Sequence, residues 1–131
     1  MVQKKRFAAE IMSRDVITTM EDTLLTDVID VLLRHNISCL PVIDQDGMLQ
    51  GVITEFDMMN FALSGEASRT TVSESMSRIL LTFAPTDDLE NIVNAFVTKR
   101  LHRAPVVQDG KLVGIISRRD ILREMLLMYQ R

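Results

Sequence analysis

The chain repeats itself over nearly its whole length. Segment 51–57 reads GVITEFD and returns at 114–120 as GIISRRD. Pro41 matches Pro105 at a spacing of 64, and one extra residue in the first copy changes the later spacing to 63. A duplication of this extent predicts two similar supersecondary units that bury their apolar faces together. Functional groups are therefore expected at the matched loops of the two copies.

Both copies predict the same amphipathic helix. Apolar side chains recur at i, i+3, i+4, i+7 and i+8, which lie on one helical face. They are Leu25, Val28, Ile29, Leu32 and Leu33 in the first copy, and Leu89, Ile92, Val93, Phe96 and Val97 in the second. Asp87, with Glu90 three residues later, predicts an N-terminal cap for the second of these helices.

The remaining elements also occur twice. A short helical turn and an extended segment precede each amphipathic helix, and a hairpin and a closing helix follow it. The hairpins are predicted from Asp-Gly turns, and a proline near the start of each leading strand suits a strand start or edge. The predicted strands are 39–43, 49–54, 103–107 and 112–117, and the predicted closing helices are 57–63 and 120–129.

These patterns predict an α+β fold, similar to an α/β sandwich, built from two copies of about sixty residues. The copies are 1–64 and 72–131, joined by the polar linker 65–71. Units of that size bury too little surface to be stable alone. We therefore expect them to pack on each other as an intramolecular pseudo-twofold pair.

Composition narrows the class of protein. With 47% hydrophobic and 25% charged residues, the chain is typical of a soluble globular domain. Its single cysteine, Cys39, has no internal disulfide partner, which favours a reducing, cytoplasmic compartment. No apolar run reaches the length of a membrane span, and no signal peptide follows the basic start.

Charge is distributed unevenly between the copies. The net charge is −3, with −5 on residues 1–70 and +2 on residues 71–131. A general nucleic-acid binder is usually more basic and interleaves aromatic with basic residues. We therefore expect a local anion site in the second copy and no nucleic-acid partner.

The element order and the matched residues resemble the cystathionine beta-synthase (CBS) domain pair, or Bateman module. The resemblance rests on Met12-Ser13, 40–44, Asp46-Gly47 and 51–57 in the first copy, with Met76-Ser77, 104–107, Asp109-Gly110 and 114–120 in the second. It implies a pseudo-twofold pair, and a homodimer in which four motifs form a disc. It also implies regulation of another protein by an adenosine-containing ligand bound in clefts between the motifs. The resemblance does not identify the regulated partner.

Two interpretations apply to the repeated hydroxyl–acid pairs, Thr54 with Asp57 and Ser117 with Asp120. A hydroxyl followed three residues later by an acid, where a strand meets a helix, has the spacing of an N-terminal cap. The resemblance implies instead that each aspartate accepts hydrogen bonds from a ribose diol, for which a carboxylate has suitable acceptors. The two roles are compatible.

The copies differ at the start of the leading strand. His102 and Arg103 in the second copy stand where the first has Ser38 and Cys39. The pair resembles nucleotide-binding repeats of the gamma subunit of AMP-activated protein kinase, which implies a phosphate-facing role; arginine's planar fork suits phosphate oxygens. The alternative is that both are surface residues at a strand edge.

The resemblance implies two composite clefts. The favoured one combines Ser117, Asp120 and His102 with Val16, Ile37, Ser38 and Cys39. The other combines Thr54 and Asp57 with Leu80 and Leu101, with Arg103 reaching in. The second is the weaker candidate because Ser38 is neutral and Glu55 lies nearby.

The functional prediction is a regulatory, ligand-sensing module that requires no cofactor. The ligands implied are AMP, ADP, ATP or S-adenosylmethionine. The alternative is a structural dimerisation module with unoccupied clefts. Segment 125–129, rich in methionine and leucine, fits either a dimer interface or an ordinary core helix. An enzyme is not expected, since the two histidines are far apart and no catalytic triad or metal-ligand spacing occurs.

Overall fold

A computed structural model of the chain describes residues 5–78 and 80–130. Its elements are α1 (Ala8–Ile11), α2 (Leu25–His35), β1 (Cys39–Ile43), β2 (Leu49–Thr54), α3 (Glu55–Met59), a 3-10 turn (Val72–Glu74), α4 (Leu89–Lys99), β3 (Arg103–Gln108), β4 (Lys111–Ser117) and α5 (Arg118–Tyr129). Strands β1 and β2 form one antiparallel sheet, and β3 and β4 form another. The predicted α+β class is confirmed.

The two hairpins turn at the predicted Asp-Gly pairs. In the second, Asp109 and Gly110 have φ of 53° and 80°, the pair of positive values that a two-residue type I′ turn requires. The first hairpin has a longer loop, in which Asp44 Oδ1 accepts the backbone N–H groups of Asp46 and Met48. The extra residue of the first copy is thus accommodated in a turn, and the strands remain equivalent.

The observed helices differ from the predicted ones in three details. Asp88, and not Asp87, caps α4, because its side chain accepts the backbone N–H of Asn91 at 2.9 Å. Helix α3 ends at Met59, so the predicted closing helix 57–63 was too long. Leu33 and Val97 are 77% and 70% exposed; at i+8 they lie about 80° around the helix from the first apolar position, at the edge of the buried stripe.

The chain divides into two compact units. The described part of the central unit is residues 17–78 and 80, and that of the terminal unit is 5–16 and 81–130. The core of the central unit contains Leu25, Val28, Leu32, Leu40, Val42, Ile53, Met58 and Val72. The core of the terminal unit contains Ala8, Ile11, Phe83, Ile92, Phe96, Ala104, Val106, Ile116 and Ile121.

The leading segment of each sequence copy belongs to the unit of the other copy. Ser13 exchanges backbone hydrogen bonds of 2.9 and 3.0 Å with Ile115 of β4, and Ser77 exchanges two of 2.9 Å with Val52 of β2. The boundaries 1–64, 65–71 and 72–131 follow the sequence repeat, whereas the compact units follow these bridges. Within the described ranges, no helix is both long and apolar enough to cross a membrane.

Candidate functional site

Each unit brings most of its predicted site residues together where its hairpin begins and ends. Residues 37–39 and 54–57 form what we call the central corner, and 101–103 and 117–120 the terminal corner. Strand register pairs Cys39 with Thr54 and Arg103 with Ser117. The first backbone N–H of the following helix donates to the carbonyl oxygen of Ser38 at 2.8 Å in one unit, and of His102 at 3.1 Å in the other. The entry to the hairpin is therefore held against the start of the helix.

Both hydroxyl–acid pairs cap a helix, as the spacing predicts. Thr54 Oγ1 accepts the backbone N–H of Asp57 at 3.2 Å, and Asp57 Oδ2 accepts the backbone N–H and the hydroxyl of Thr54 at 2.8 and 3.0 Å. Ser117 and Asp120 make the same three bonds, at 3.3, 2.8 and 3.0 Å. The capping interpretation is confirmed, and in each pair it uses only one of the two carboxylate oxygens.

The second carboxylate oxygen distinguishes the corners. Asp120 Oδ1 accepts a hydrogen bond of 2.8 Å from Arg123 Nη1, and the Asp120 side chain is only 6% exposed. Asp57 is half-buried, and its Oδ1 has no hydrogen-bond partner among the residues that the structure describes. Asn60 occupies the position in the first copy that Arg123 occupies in the second. The central corner therefore has the more accessible carboxylate.

Basic groups gather at the terminal corner. His102 is exposed and Arg103 half-buried, and the Arg118 side chain is fixed there by a 2.6 Å bond from its Nε to the carbonyl oxygen of Leu101. The central corner has Ser38 and Glu55 at the positions matching His102 and Arg118. The two equivalent corners therefore differ in charge, with the basic groups at the terminal corner.

Two further predicted site residues lie outside the corners. Val16 belongs to the terminal unit and Leu80 to the central unit, and both are half-buried. Each is thus in the same unit as the aspartate with which the sequence grouped it. The predicted contributions of 37–39 to the Asp120 site and of Leu101 to the Asp57 site remain predictions.

The structure also shows an ion pair that the sequence analysis did not identify. Arg6 donates from Nε and Nη2 to the two carboxylate oxygens of Glu124, at 3.1 and 2.8 Å, and from Nη1 to Glu10 at 3.0 Å. These contacts, chiefly the hydrogen bonds to Glu124, raise the pKa of Arg6 above its ordinary value. The paired residues are 118 positions apart, a separation at which no local pattern links them.

A cavity of about 740 Å³ lies beside this ion pair, within the terminal unit. Its apolar wall comes from α4 and α5, through Leu89, Val93, Met125, Leu127 and Met128. No residue predicted for ligand binding lines it. In residues 5–78 and 80–130, no cluster of three or more His, Cys, Asp or Glu side chains is arranged to hold a metal ion.

Comparison with known protein families accounts for the paired hairpins and caps. The family model of the CBS domain matches twice, at residues 8–64 and 72–127. The chain belongs to the CBS domain family. This confirms the resemblance drawn from the repeated motifs and shows that both copies are members.

Individual proteins agree with this assignment. The chain is 32% identical over 123 residues to inosine-5'-monophosphate dehydrogenase of Methanocaldococcus jannaschii, covering 93% of this chain and 24% of that enzyme. It spans less than half the length of three curated relatives from that organism.

Solved structures extend the comparison. The CBS domain of a CBS domain containing membrane protein from Sphaerobacter thermophilus has a TM-score of 0.74 and 33% identity, over 89% of this chain and 86% of that one. The CBS domain pair of protein MJ0100, solved with 5'-methylthioadenosine and S-adenosyl-L-methionine, has a TM-score of 0.80 and 27% identity, over 95% and 99%.

Proposed function

We propose that the protein is a regulatory module that binds an adenosine-containing ligand, of the AMP, ADP, ATP or S-adenosylmethionine class, and thereby acts on a partner protein. The ligand would occupy the clefts that the sequence predicts, with the two corners as its anchoring points. Membership of the CBS domain family and the similarity to the MJ0100 pair, solved with two adenosyl compounds, support the ligand class.

The observation that carries the proposal is the carboxylate that stands at the same point of both units. Each aspartate is held in a single orientation by its cap, and Oδ1 of the half-buried Asp57 accepts no hydrogen bond from the part of the chain that the structure describes. An ionised carboxylate accepts charge-assisted hydrogen bonds from the two hydroxyls of a diol. Because the cap already fixes the side chain, little rotamer entropy is lost when a ribose binds.

The uneven charge suggests which ligand substituents each corner favours. We place phosphates beside His102 and Arg103 in the terminal corner, where Arg118 adds a second guanidinium group. The central corner, with Ser38 and Glu55, suits a neutral or positively charged substituent. S-adenosylmethionine and nucleotides would then differ in their preferred corner.

Thermal unfolding measured with and without ligand tests the proposal. Melting should be followed with AMP, ADP, ATP and S-adenosylmethionine on the wild type, Asp57→Ala and Asp120→Ala. Saturation at a hundred times Kd contributes about 2.7 kcal/mol, or roughly 10 °C for a domain of this size. Each substitution should remove the part of the ligand-induced shift that its corner provides.

Loss of a helix cap must be separated from loss of a ligand contact. Asp88→Ala is the matched control, because Asp88 also caps a helix through its side chain but lies at neither corner. It should lower the melting temperature of the free protein while leaving the ligand-induced shift intact. The sensing proposal is refuted if no adenosyl compound shifts the wild type. The assignment of the site is refuted if the full shift survives in the double variant that combines Asp57→Ala with Asp120→Ala.

We also propose that the protein forms a homodimer through the end of α5. There Met125, Leu126 and Tyr129 are 45%, 58% and 84% exposed, and an apolar surface of that kind on one helix is typical of an interaction site. Light scattering should show a dimer that Leu126→Lys dissociates. Leu33→Lys, at another highly exposed leucine, should leave it intact. A wild type that remains monomeric at high concentration would contradict this proposal.

The apolar end of α5 also favours one alternative, a dimerisation module with unoccupied clefts. That alternative predicts dissociation by Leu126→Lys together with no thermal response to any adenosyl compound. In neither case do we propose catalysis, nucleic-acid binding or a required cofactor. The regulated partner would be identified by co-purification with the intact protein.

A further inference from the structure

The Asp120 carboxylate is closed off by its own helix. Arg123 lies one turn further along α5, and its guanidinium donates a hydrogen bond to Oδ1 of Asp120, the oxygen that the cap leaves unused. The Arg123 side chain is 67% exposed, whereas that of Asp120 is 6% exposed. The matched aspartate, Asp57, has Asn60 at the equivalent position; it is half-buried, and within residues 5–78 and 80–130 no group donates a hydrogen bond to its Oδ1. The two copies therefore differ in access to the same functional group.

We propose that Arg123 is a gate that sets the ligand affinity of the terminal corner by competing with the ligand for Asp120. This inference rests on the proposed function, since it concerns the same carboxylate and the same diol. In the free protein, Arg123 supplies the hydrogen bond that a nearly buried carboxylate oxygen needs, so Asp120 is not left unsatisfied. In the complex, the ribose hydroxyls replace the guanidinium, which swings into solvent on its long stem.

A ligand can displace Arg123 because the ion pair between Arg123 and Asp120 is weak, since the arginine side chain is exposed. Ion pairs involving an exposed side chain typically contribute only about 0.2–1 kcal/mol. A ligand that has to break this contact loses up to about fivefold in affinity. The central corner carries no such penalty, so a neutral ligand such as adenosine should occupy the corner of Asp57 first and that of Asp120 at higher concentration.

Adenosine binding in an Asp57→Ala background isolates the terminal corner. Adenosine is the probe because it is neutral, so removal of a positive charge does not alter any attraction for phosphate. Arg123→Asn copies the residue of the first copy, and we expect it to tighten adenosine binding by about two- to fivefold. Arg69→Asn is the matched control, because Arg69 also donates to a carboxylate three residues earlier, that of Glu66 at 2.8 Å, but lies at neither corner; it should leave the affinity unchanged.

Salt dependence provides a readout that a merely structural role of Arg123 would not change. Salt screens an exposed ion pair, so adenosine affinity at the terminal corner should rise with ionic strength while Arg123 is present. In Arg123→Asn this rise should disappear. The reciprocal change, Asn60→Arg in an Asp120→Ala background, should weaken adenosine binding at the central corner.

The outcomes separate this inference from the function on which it rests. Adenosine binding by wild type that Arg123→Asn leaves unchanged or weakens in the Asp57→Ala background overturns the gate alone. So does a wild type that binds while both Asp57→Ala and its Arg123→Asn derivative do not. Absence of binding by wild type to adenosine and to every adenosyl compound tested overturns the proposed function, and the gate with it.

Discussion

Replacing Gly51 by alanine should destabilise the protein far more than the same change at Gly114, although the two glycines occupy equivalent positions in the repeat. A Cβ on Gly51 would overlap the Ser77 carbonyl oxygen and lie 2.5 Å from Met76 Cε. A Cβ on Gly114 would lie 2.5 Å from the flexible Met12 side chain and 3.0 Å from a backbone oxygen. The first clash requires backbone movement, whereas a side-chain rotation relieves most of the second.

The magnitudes follow from these contacts. Overpacking costs about 1–3 kcal/mol, and displacement of Ser77 would also weaken its two 2.9 Å hydrogen bonds with Val52, each worth about 1 kcal/mol. Alanine recovers about 0.4–1 kcal/mol by restricting the unfolded chain. We therefore expect Gly51→Ala to cost about 2–4 kcal/mol and Gly114→Ala about 1 kcal/mol or less. Urea unfolding followed by circular dichroism measures both.

Double variants identify the clashing atoms. Met12→Ala should cancel most of the cost of Gly114→Ala, because the side chain in its way is removed. Met76→Ala should leave most of the cost of Gly51→Ala, because the Ser77 carbonyl oxygen remains. Equal destabilisation by the two glycine substitutions would refute the reasoning, as would recovery of Gly51→Ala by Met76→Ala.

Three further predictions concern the helices and the ion pair. Asp88→Ala should lower the free energy of unfolding by about 1 kcal/mol through loss of a cap, and an unchanged urea midpoint would contradict the assignment of Asp88. Arg6→Met should cost about 1–3 kcal/mol because it leaves the nearly buried Glu124 carboxylate without its partner; a smaller loss in the Glu124→Gln background would confirm that the two act together. Leu32→Ala should cost about 2–5 kcal/mol, whereas Leu33→Ala should stay within about 0.5 kcal/mol, because Leu32 is 5% and Leu33 77% exposed. Similar losses for both leucines would contradict the observed helix orientation.

Local patterns predicted the elements well because each depends on neighbouring residues. Asp-Gly turns indicated both hairpins, and the spacing of a hydroxyl and an acid indicated the caps at Thr54 and Ser117. The errors arose where nearly equivalent residues compete. Asp87 and Asp88 are both competent caps, and only backbone geometry selects Asp88. Leu33 continues the apolar periodicity but lies at the edge of the stripe.

The positions of the two site aspartates were predicted from the sequence, but their hydrogen bonding and exposure were not. Asp57 and Asp120 were correctly placed at the starts of helices, since capping is a local property. Their different accessibility was not expected, because the net positive charge of the second copy does not indicate that Arg123 pairs with Asp120. Whether an arginine side chain reaches a carboxylate three residues earlier depends on rotamers and surroundings that spacing alone does not specify.

The amino-acid sequence by itself determined the repeat, the matched hairpins, the duplicated caps and the membership of the CBS domain family. The hairpins and the caps depend on interactions within a few residues, so matching patterns give matching elements in the two copies. The tertiary structure decided which leading segment joins which hairpin and which carboxylate stays accessible. Ser13 pairs with Ile115, about a hundred residues away, and Arg6 with Glu124 across a similar separation. Contacts at that distance form only when the chain has folded, because they depend on how surfaces fit and not on the spacing of residues along the chain.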